Sequence, residues 1–305
     1  MSRRPTYQGR VLPRPGEEVV DQGLGFDLGT LDRRRMLRLL GLGGAALGLA
    51  ACSTTDSTSA SASASTGTSS GEIPDETAGP YPGDGSNGPN VLDQSGIVRT
   101  DVRSSFGTAS GTAEGVPMTL ELTVVDVANG NKPFANVAVY VWHCDREGRY
   151  SLYSDGVTGE NYLRGVQIAD ASGVVRFTSV FPACYTGRWP HVHFEVYPDR
   201  ASITDAGNAI ATSQVALPKA TCDAVYATSG YESSVATLKQ VTLESDNVFG
   251  DDGGTSQLGT VSGDVTSGFA VRLTVPVDTR TEPSGGQAPG GRDPGGTPPS
   301  GAPMR

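Results

Sequence analysis

Apolar and polar positions alternate with period two through the middle of the chain, as strands with one buried face require. Thr119 to Val127 reads TLELTVVDV and runs into the turn pair Asn129-Gly130. In the next run Val137, Val139 and Val141 share one face, with Tyr140 and Trp142 on the other. Val166 to Ala169 and Val174 to Val180 flank Asp170-Ala171-Ser172-Gly173, which predicts a hairpin. Trp189 to Tyr197 and Phe269 to Val277 complete the series, and only Ala220 to Ala227 reads as briefly helical. Short strands, turn punctuation and little helix predict an all-β fold: a β-sandwich core of mostly antiparallel strands with long loops.

The ends do not share this pattern. Of the 305 residues, 73–278 are expected to form one domain, with a Pro/Gly-rich tail over 279–305 that has too little apolar surface to order. Residues 52–72 are rich in Ser, Thr and Ala, a composition that predicts a flexible tether.

Residues 1–51 read as an address. Asp32-Arg33-Arg34-Arg35-Met36-Leu37-Arg38 resembles a twin-arginine export motif. An apolar run to Ala51 follows, with the length of a signal-peptide core, and Leu49-Ala50-Ala51-Cys52 resembles a lipobox. These features predict export and anchoring to the outer face of the cell membrane through lipidated Cys52. Removing the leader also sharpens the charge: 15 basic against 28 acidic residues remain from a formal net charge of −10. Such a surface repels nucleic acid, and no basic stripe exists to offset it.

The chain has three histidines: His143, His191 and His193. Two residues apart on a strand, His191 and His193 present both imidazoles on one face, while Val192, Phe194 and Val196 face the core. That is a metal-ligand geometry, although two surface histidines would have the same spacing. His143 follows Trp142 and points away from it, so it reads as structural.

Around this pair lie five short segments. They are Glu76-Thr77-Ala78-Gly79-Pro80-Tyr81, Trp142 to Tyr150 with its Gly148-Arg149-Tyr150 ending, Phe181-Pro182-Ala183-Cys184-Tyr185, Arg188 to His193, and Thr212-Ser213-Gln214. In kind and order, from about Ile73 to Phe249, they resemble those of the intradiol ring-cleavage dioxygenases. The resemblance implies a non-haem Fe(III) ion held by Tyr150, Tyr185, His191 and His193, with no organic cofactor. It implies that Arg188 stabilises negative charge and contacts substrate, that Gln214 lies near the metal and that Tyr81 lines the substrate pocket. The substrates it implies are a small catechol and O2, the ring opening between its two hydroxylated carbons to a muconate-type diacid. The chemistry is consistent: a buried phenolate needs a hard Lewis acid beside it, because free tyrosine ionises only near ~10.

Two other assignments compete. One is a zinc site from His143, Cys144, Cys184, His191 and His193, which lacks paired-cysteine spacing and leaves Tyr185 without a role. The other is a non-catalytic β-sandwich that serves as a binding module at the cell surface, for which the four ligand types and Arg188 would be superfluous. In an oxidising compartment Cys184 and Cys222 are expected to form a disulfide, with Cys144 a buried thiol. Nothing in the sequence sets an oligomeric state.

Overall fold

The computed structural model describes residues 6–7, 10–11 and 71–284. The chain divides into two units, 1–67 and 68–305. Of the first, the described part is an antiparallel pair, Thr6–Tyr7 with Arg10–Val11. Cys52, the export motif, the tether as far as residue 70 and the tail from 285 lie outside the described residues. No helix among the described residues is long and apolar enough to cross a membrane.

The second unit is the expected sandwich. One sheet has five strands: β1 (Pro117–Asp126), β2 (Lys132–Pro133), β5 (Val174–Val180), β8 (Thr260–Asp264) and β9 (Gly268–Val277). Their order is β8-β9-β1-β2, with β5 also paired to β1. The other sheet has β3 (Ala138–Trp142), β4 (Arg164–Ile168), β6 (His191–Tyr197) and β7 (Ala211–Ala216), in the order β4-β3-β6-β7. Every pairing is antiparallel except β1 with β9, which run parallel from Met118 opposite Phe269 to Asp126 opposite Val277.

Alternation sets what fills the space between the sheets. Met118, Leu120, Leu122 and Val124 of β1 meet Val139 and Val141 of β3 and Val192, Phe194 and Val196 of β6 in one apolar core. Full burial of such side chains stabilises by roughly 1.5–3 kcal/mol each. Among the described residues the α-helices are α1 (Lys219–Tyr226), close to the expected 220–227, and α2 (Glu232–Leu238), which the pattern did not announce.

The predicted hairpin at 170–173 is corrected. The turn forms, with the Gly173 amide donating to the Asp170 carbonyl oxygen at 2.9 Å. Its flanking strands, however, belong to different sheets: β4 pairs with β3 and β5 with β1. Period two fixes which face of a strand is buried, not which strand lies beside it. Gly173 is needed there, with φ at +75°, because a Cβ would run into the Val124 carbonyl oxygen.

The outer face of the four-stranded sheet carries the chemistry, and it is not open to water. His191, His193, Glu195 and Tyr197 alternate along that face of β6, and all seven residues of the strand are buried. A second apolar cluster covers the face, in which Ala78, Val91, Leu92 and Ile97 of the lead-in pack on Ala138, Tyr140, Trp142, Val166 and Tyr197. The lead-in is tied down at both sides of the sandwich: the Ile73 amide donates to Pro276 at 2.9 Å and the Glu76 amide to Thr212 at 2.7 Å. Contacts continue past Asp278, where Thr281 Oγ1 donates to Glu72 Oε1 at 2.8 Å and the Ser284 amide to Asp75 Oδ2 at 2.8 Å.

Candidate metal centre

Two imidazoles and two phenols converge at the N-terminal end of β6. His191 Nε2 lies 3.0 Å from His193 Nε2, 3.3 Å from Tyr185 Oη and 3.5 Å from Tyr150 Oη, and the two phenol oxygens are 3.3 Å apart. Donors that share a first-row metal ion at about 2.0–2.2 Å stand at roughly this separation. The sequence-expected ligands Tyr150, Tyr185, His191 and His193 are therefore brought together.

Each donor is aimed by its surroundings. The Trp189 carbonyl oxygen lies 2.5 Å from His191 Nδ1, fixing that nitrogen as the protonated one and turning Nε2 to the cluster. His193 stacks on Trp142, its pairing partner on β3, with ring centroids 4.8 Å apart and an interplanar angle of 8°. Gly79, at φ +73°, approaches the ring closely, and a Cβ there would stand 3.3 Å from His193 Cε1. His193 Nδ1 is buried without a hydrogen-bond partner among the described residues. Tyr150 is carried by a loop that Asp145 organises: Oδ1 accepts from the Glu147 and Arg149 amides, and Oδ2 from Tyr162 Oη and Arg149 Nε. The Asp145 carbonyl oxygen also accepts from the Ala183 amide at 3.2 Å, joining the two tyrosine-bearing loops.

Burial sets the protonation states. Desolvation, and then the Arg188 charge, holds His191 well below the usual imidazole range; desolvation and then His191 do the same for His193. Both are neutral bases ready to ligate. Desolvation also raises the phenols, Tyr185 to about 12 and Tyr150 well above its ordinary value, with Tyr185 the next largest influence on Tyr150. Neither phenol ionises here unless a cation is bound beside it. The donor set of two oxygens and two nitrogens fits a hard trivalent ion. Among the described residues no three His, Cys, Asp or Glu cluster as metal ligands, so the zinc alternative has no site. His143 instead places Nε2 2.7 Å from Ser179 Oγ and Nδ1 2.8 Å from the Cys144 carbonyl oxygen, the structural role expected of it.

The other expected site residues are also present. Arg188 Nη2 donates to Gln214 Oε1 at 2.6 Å, and Gln214 Nε2 donates to the Thr77 carbonyl oxygen at 3.1 Å. The Tyr81 ring lies 5.0 Å from that of Tyr150 and 5.2 Å from that of Tyr153. The expected disulfide is not formed: Cys144, Cys184 and Cys222 are all free and buried. Cys184 Sγ is engaged with the Arg188 carbonyl oxygen at 3.6 Å and Cys222 Sγ with that of Leu217 at 3.7 Å. Desolvation raises the Cys184 thiol to about 12, so it is inert as well as unpaired.

Sequence reasoning missed two charged residues. Asp246 pairs with Arg188, its Oδ2 3.0 Å from Arg188 Nε, so the carboxylate that Arg188 meets is buried rather than at the surface. Arg164, 1% exposed on β4, donates from all three guanidinium nitrogens to Ser151 Oγ, the Pro82, Tyr81 and Ser151 carbonyl oxygens, and Tyr140 Oη. No local motif marks either. The single available signal was the alternation on β4, which puts Arg164 on the same face as Val166.

Residues 87–198 match the family model described as Dioxygenase. The chain is similar to the solved intradiol ring-cleavage dioxygenase from Tetranychus urticae, with a TM-score of 0.57, 20% identity, and coverage of 72% of this chain and 99% of that one. A second solved dioxygenase gives a TM-score of 0.56 at 21% identity, covering 72% of this chain and 98% of its own. No curated protein matches the sequence. The chain thus has the fold of the solved intradiol ring-cleavage dioxygenase, with the match to the Dioxygenase model lying in residues 87–198.

Proposed function

We propose that this protein is a ferric dioxygenase that opens catechol-type rings between the two hydroxylated carbons. The observation that carries the reading is the convergence of Tyr150 Oη, Tyr185 Oη, His191 Nε2 and His193 Nε2 within 3.0–3.5 Å along each of the four recorded contacts. Bound there, Fe(III) would supply a hard Lewis acid that takes both catechol oxygens and draws electron density from them, making the ring reactive toward dioxygen.

The protein's own residues have separable tasks. His191 and His193, neutral and held by Trp189 and Trp142, keep two fixed positions. Tyr185 is the half-buried phenol and Tyr150 the buried one, so Tyr185 Oη is the oxygen placed to take a proton from an arriving catechol hydroxyl. Tyr81 and Tyr150 form an aromatic wall against which a flat ring can lie. Arg188 faces this region with a charge that stabilises the negative oxygen developing during attack. The balance closes without a reductant: catechol plus O2 gives cis,cis-muconic acid, with both oxygen atoms retained.

Incubated with oxygen and a panel of catechols, the iron-loaded protein should consume one O2 per ring and release the diacid rather than an extradiol semialdehyde. Arg188→Ala should keep iron and catechol binding while slowing the oxygen step by ~100-fold, the scale of a lost transition-state charge contact. Catechols that bind the iron without oxygen uptake would instead indicate a binding module.

The leader motifs support placing the enzyme on the outer face of the membrane through lipid on Cys52. Cys52→Ala should then shift the protein from the detergent phase to the aqueous phase on phase separation; wild-type protein already in the aqueous phase would refute the anchor.

A further inference from the structure

The geometry points to Asp246 as the residue that positions Arg188 and couples its placement to that of the ligand His191. The inference rests on the proposed ring-cleavage reading for the meaning of Arg188, but the arrangement is physical in its own right.

Asp246 lies 58 residues after Arg188, and its carboxylate is 0% exposed against 14% for the arginine side chain. Both oxygens are fully used. Oδ2 accepts from Arg188 Nε at 3.0 Å and from the Trp189 amide at 2.6 Å. Oδ1 accepts from the Val248 amide at 2.8 Å and the Phe249 amide at 3.2 Å. A carboxylate with four donors and no exposed edge has no capacity left to bind substrate or carry a proton. Its effect has to pass through what it holds.

What it holds are two parts of the site. The guanidinium is pinned at two corners, Nε on Asp246 and Nη2 on Gln214 Oε1, while Nη1 has no protein acceptor among the described residues. Two fixed points on a planar fork determine its orientation, so Nη1 is the donor left for a ligand. The Trp189 amide on the same Oδ2 continues to the Trp189 carbonyl oxygen, which fixes His191 Nδ1 at 2.5 Å. One carboxylate therefore sets both the arginine and the tautomer-defining contact of a metal-binding imidazole. Burial alone would raise the Asp246 carboxyl, yet Arg188 and the amides hold it below the ordinary range, so it stays ionised.

A plain loop staple for residues 246–249 would make the same contacts, so the test needs readouts that a staple leaves untouched. Asp246→Asn keeps an acceptor oxygen and removes the charge. In the iron-loaded full chain it should retain iron and the visible absorbance, and change KM for catechol by no more than about twofold. The oxygen step should slow by about 30–100-fold, the scale of removing the arginine itself. Combined with Arg188→Ala it should add less than about threefold, because both changes remove one unit. Wild-type turnover in Asp246→Asn, or slowing that multiplies with Arg188→Ala, would overturn the inference and leave a staple.

A second readout needs no turnover. In metal-free protein the Arg188 Nε–H resonance should be protected from solvent exchange in the wild type and lose that protection in Asp246→Asn, or in Asp246→Ser should the first variant not fold. An Arg188 Nε–H that exchanges freely in wild type would refute the pairing. Protection that is present and lost as expected, in a protein that opens no catechol, would sink the ring-cleavage reading and leave the positioning intact.

Discussion

His191→Ala is expected to purify colourless, with iron at about a tenth or less of the one ion per chain expected of the wild type. His191 Nε2 is the hub of the donor set, within 3.0–3.5 Å of each of the other three donor atoms. Losing merely an outer contact to a ligand costs metal affinity about 10–100-fold, and losing the ligand itself should exceed that. Tyr185→Phe should be milder, weakening and shifting the visible band, since three donors remain and the ring volume is kept. Elemental analysis and absorbance on protein expressed with ample iron provide the check, with circular dichroism to show that the fold is retained. Full iron occupancy in His191→Ala would remove the basis of the proposed centre.

The largest stability effect is expected at Arg164. Its buried guanidinium donates to five oxygens of Tyr81, Pro82, Ser151 and Tyr140, none of them a carboxylate. Arg164→Met keeps much of the side-chain length but removes the donor to the Tyr81 and Ser151 carbonyl oxygens and weakens the rest of the network, in which Tyr140 Oη still donates to the Pro82 carbonyl oxygen at 2.7 Å. At about 1–3 kcal/mol for each buried group left unsatisfied, and with some recovered by water, the loss should reach roughly 4–6 kcal/mol. In a domain of this size that corresponds to a fall in melting temperature of about 10–20 °C by calorimetry. The Tyr81 segment should also become accessible to protease in the folded state, because two of its carbonyl oxygens are held by Arg164. A shift below about 2 °C would mean that the network contributes little.

The faces of the strands were legible from the sequence, and with them the pairing of His191 and His193. Alternation places Val139 and Val141 opposite Tyr140 and Trp142, and Val192, Phe194 and Val196 opposite the imidazoles, as observed. The pattern does not say what covers the polar face. His191, His193, Glu195 and Tyr197 read like a solvated side of β6, yet all four are buried. Strand partners were equally illegible: the turn at 170–173 reads as a hairpin and is a corner between sheets. Asp246 escaped because its meaning comes from Arg188, 58 residues earlier, and no local spacing encodes a contact of that range.

The parallel seam between β1 and β9 has a consequence for the order in which the molecule can be made. β9 is inserted between β8 and β1, so the five-stranded sheet stays divided until residues 268–277 have been synthesised. The four donors lie at positions 150, 185, 191 and 193, and the last strand of their own sheet ends at Ala216. The four donor residues are thus encoded wholly upstream of the strand that seals the sandwich. A chain stopped anywhere between the two would carry β1 with a bare edge, a template for pairing with another unfinished copy. Contacts spanning about 150 residues form late and slowly, so the final closure of this protein belongs to the completed chain.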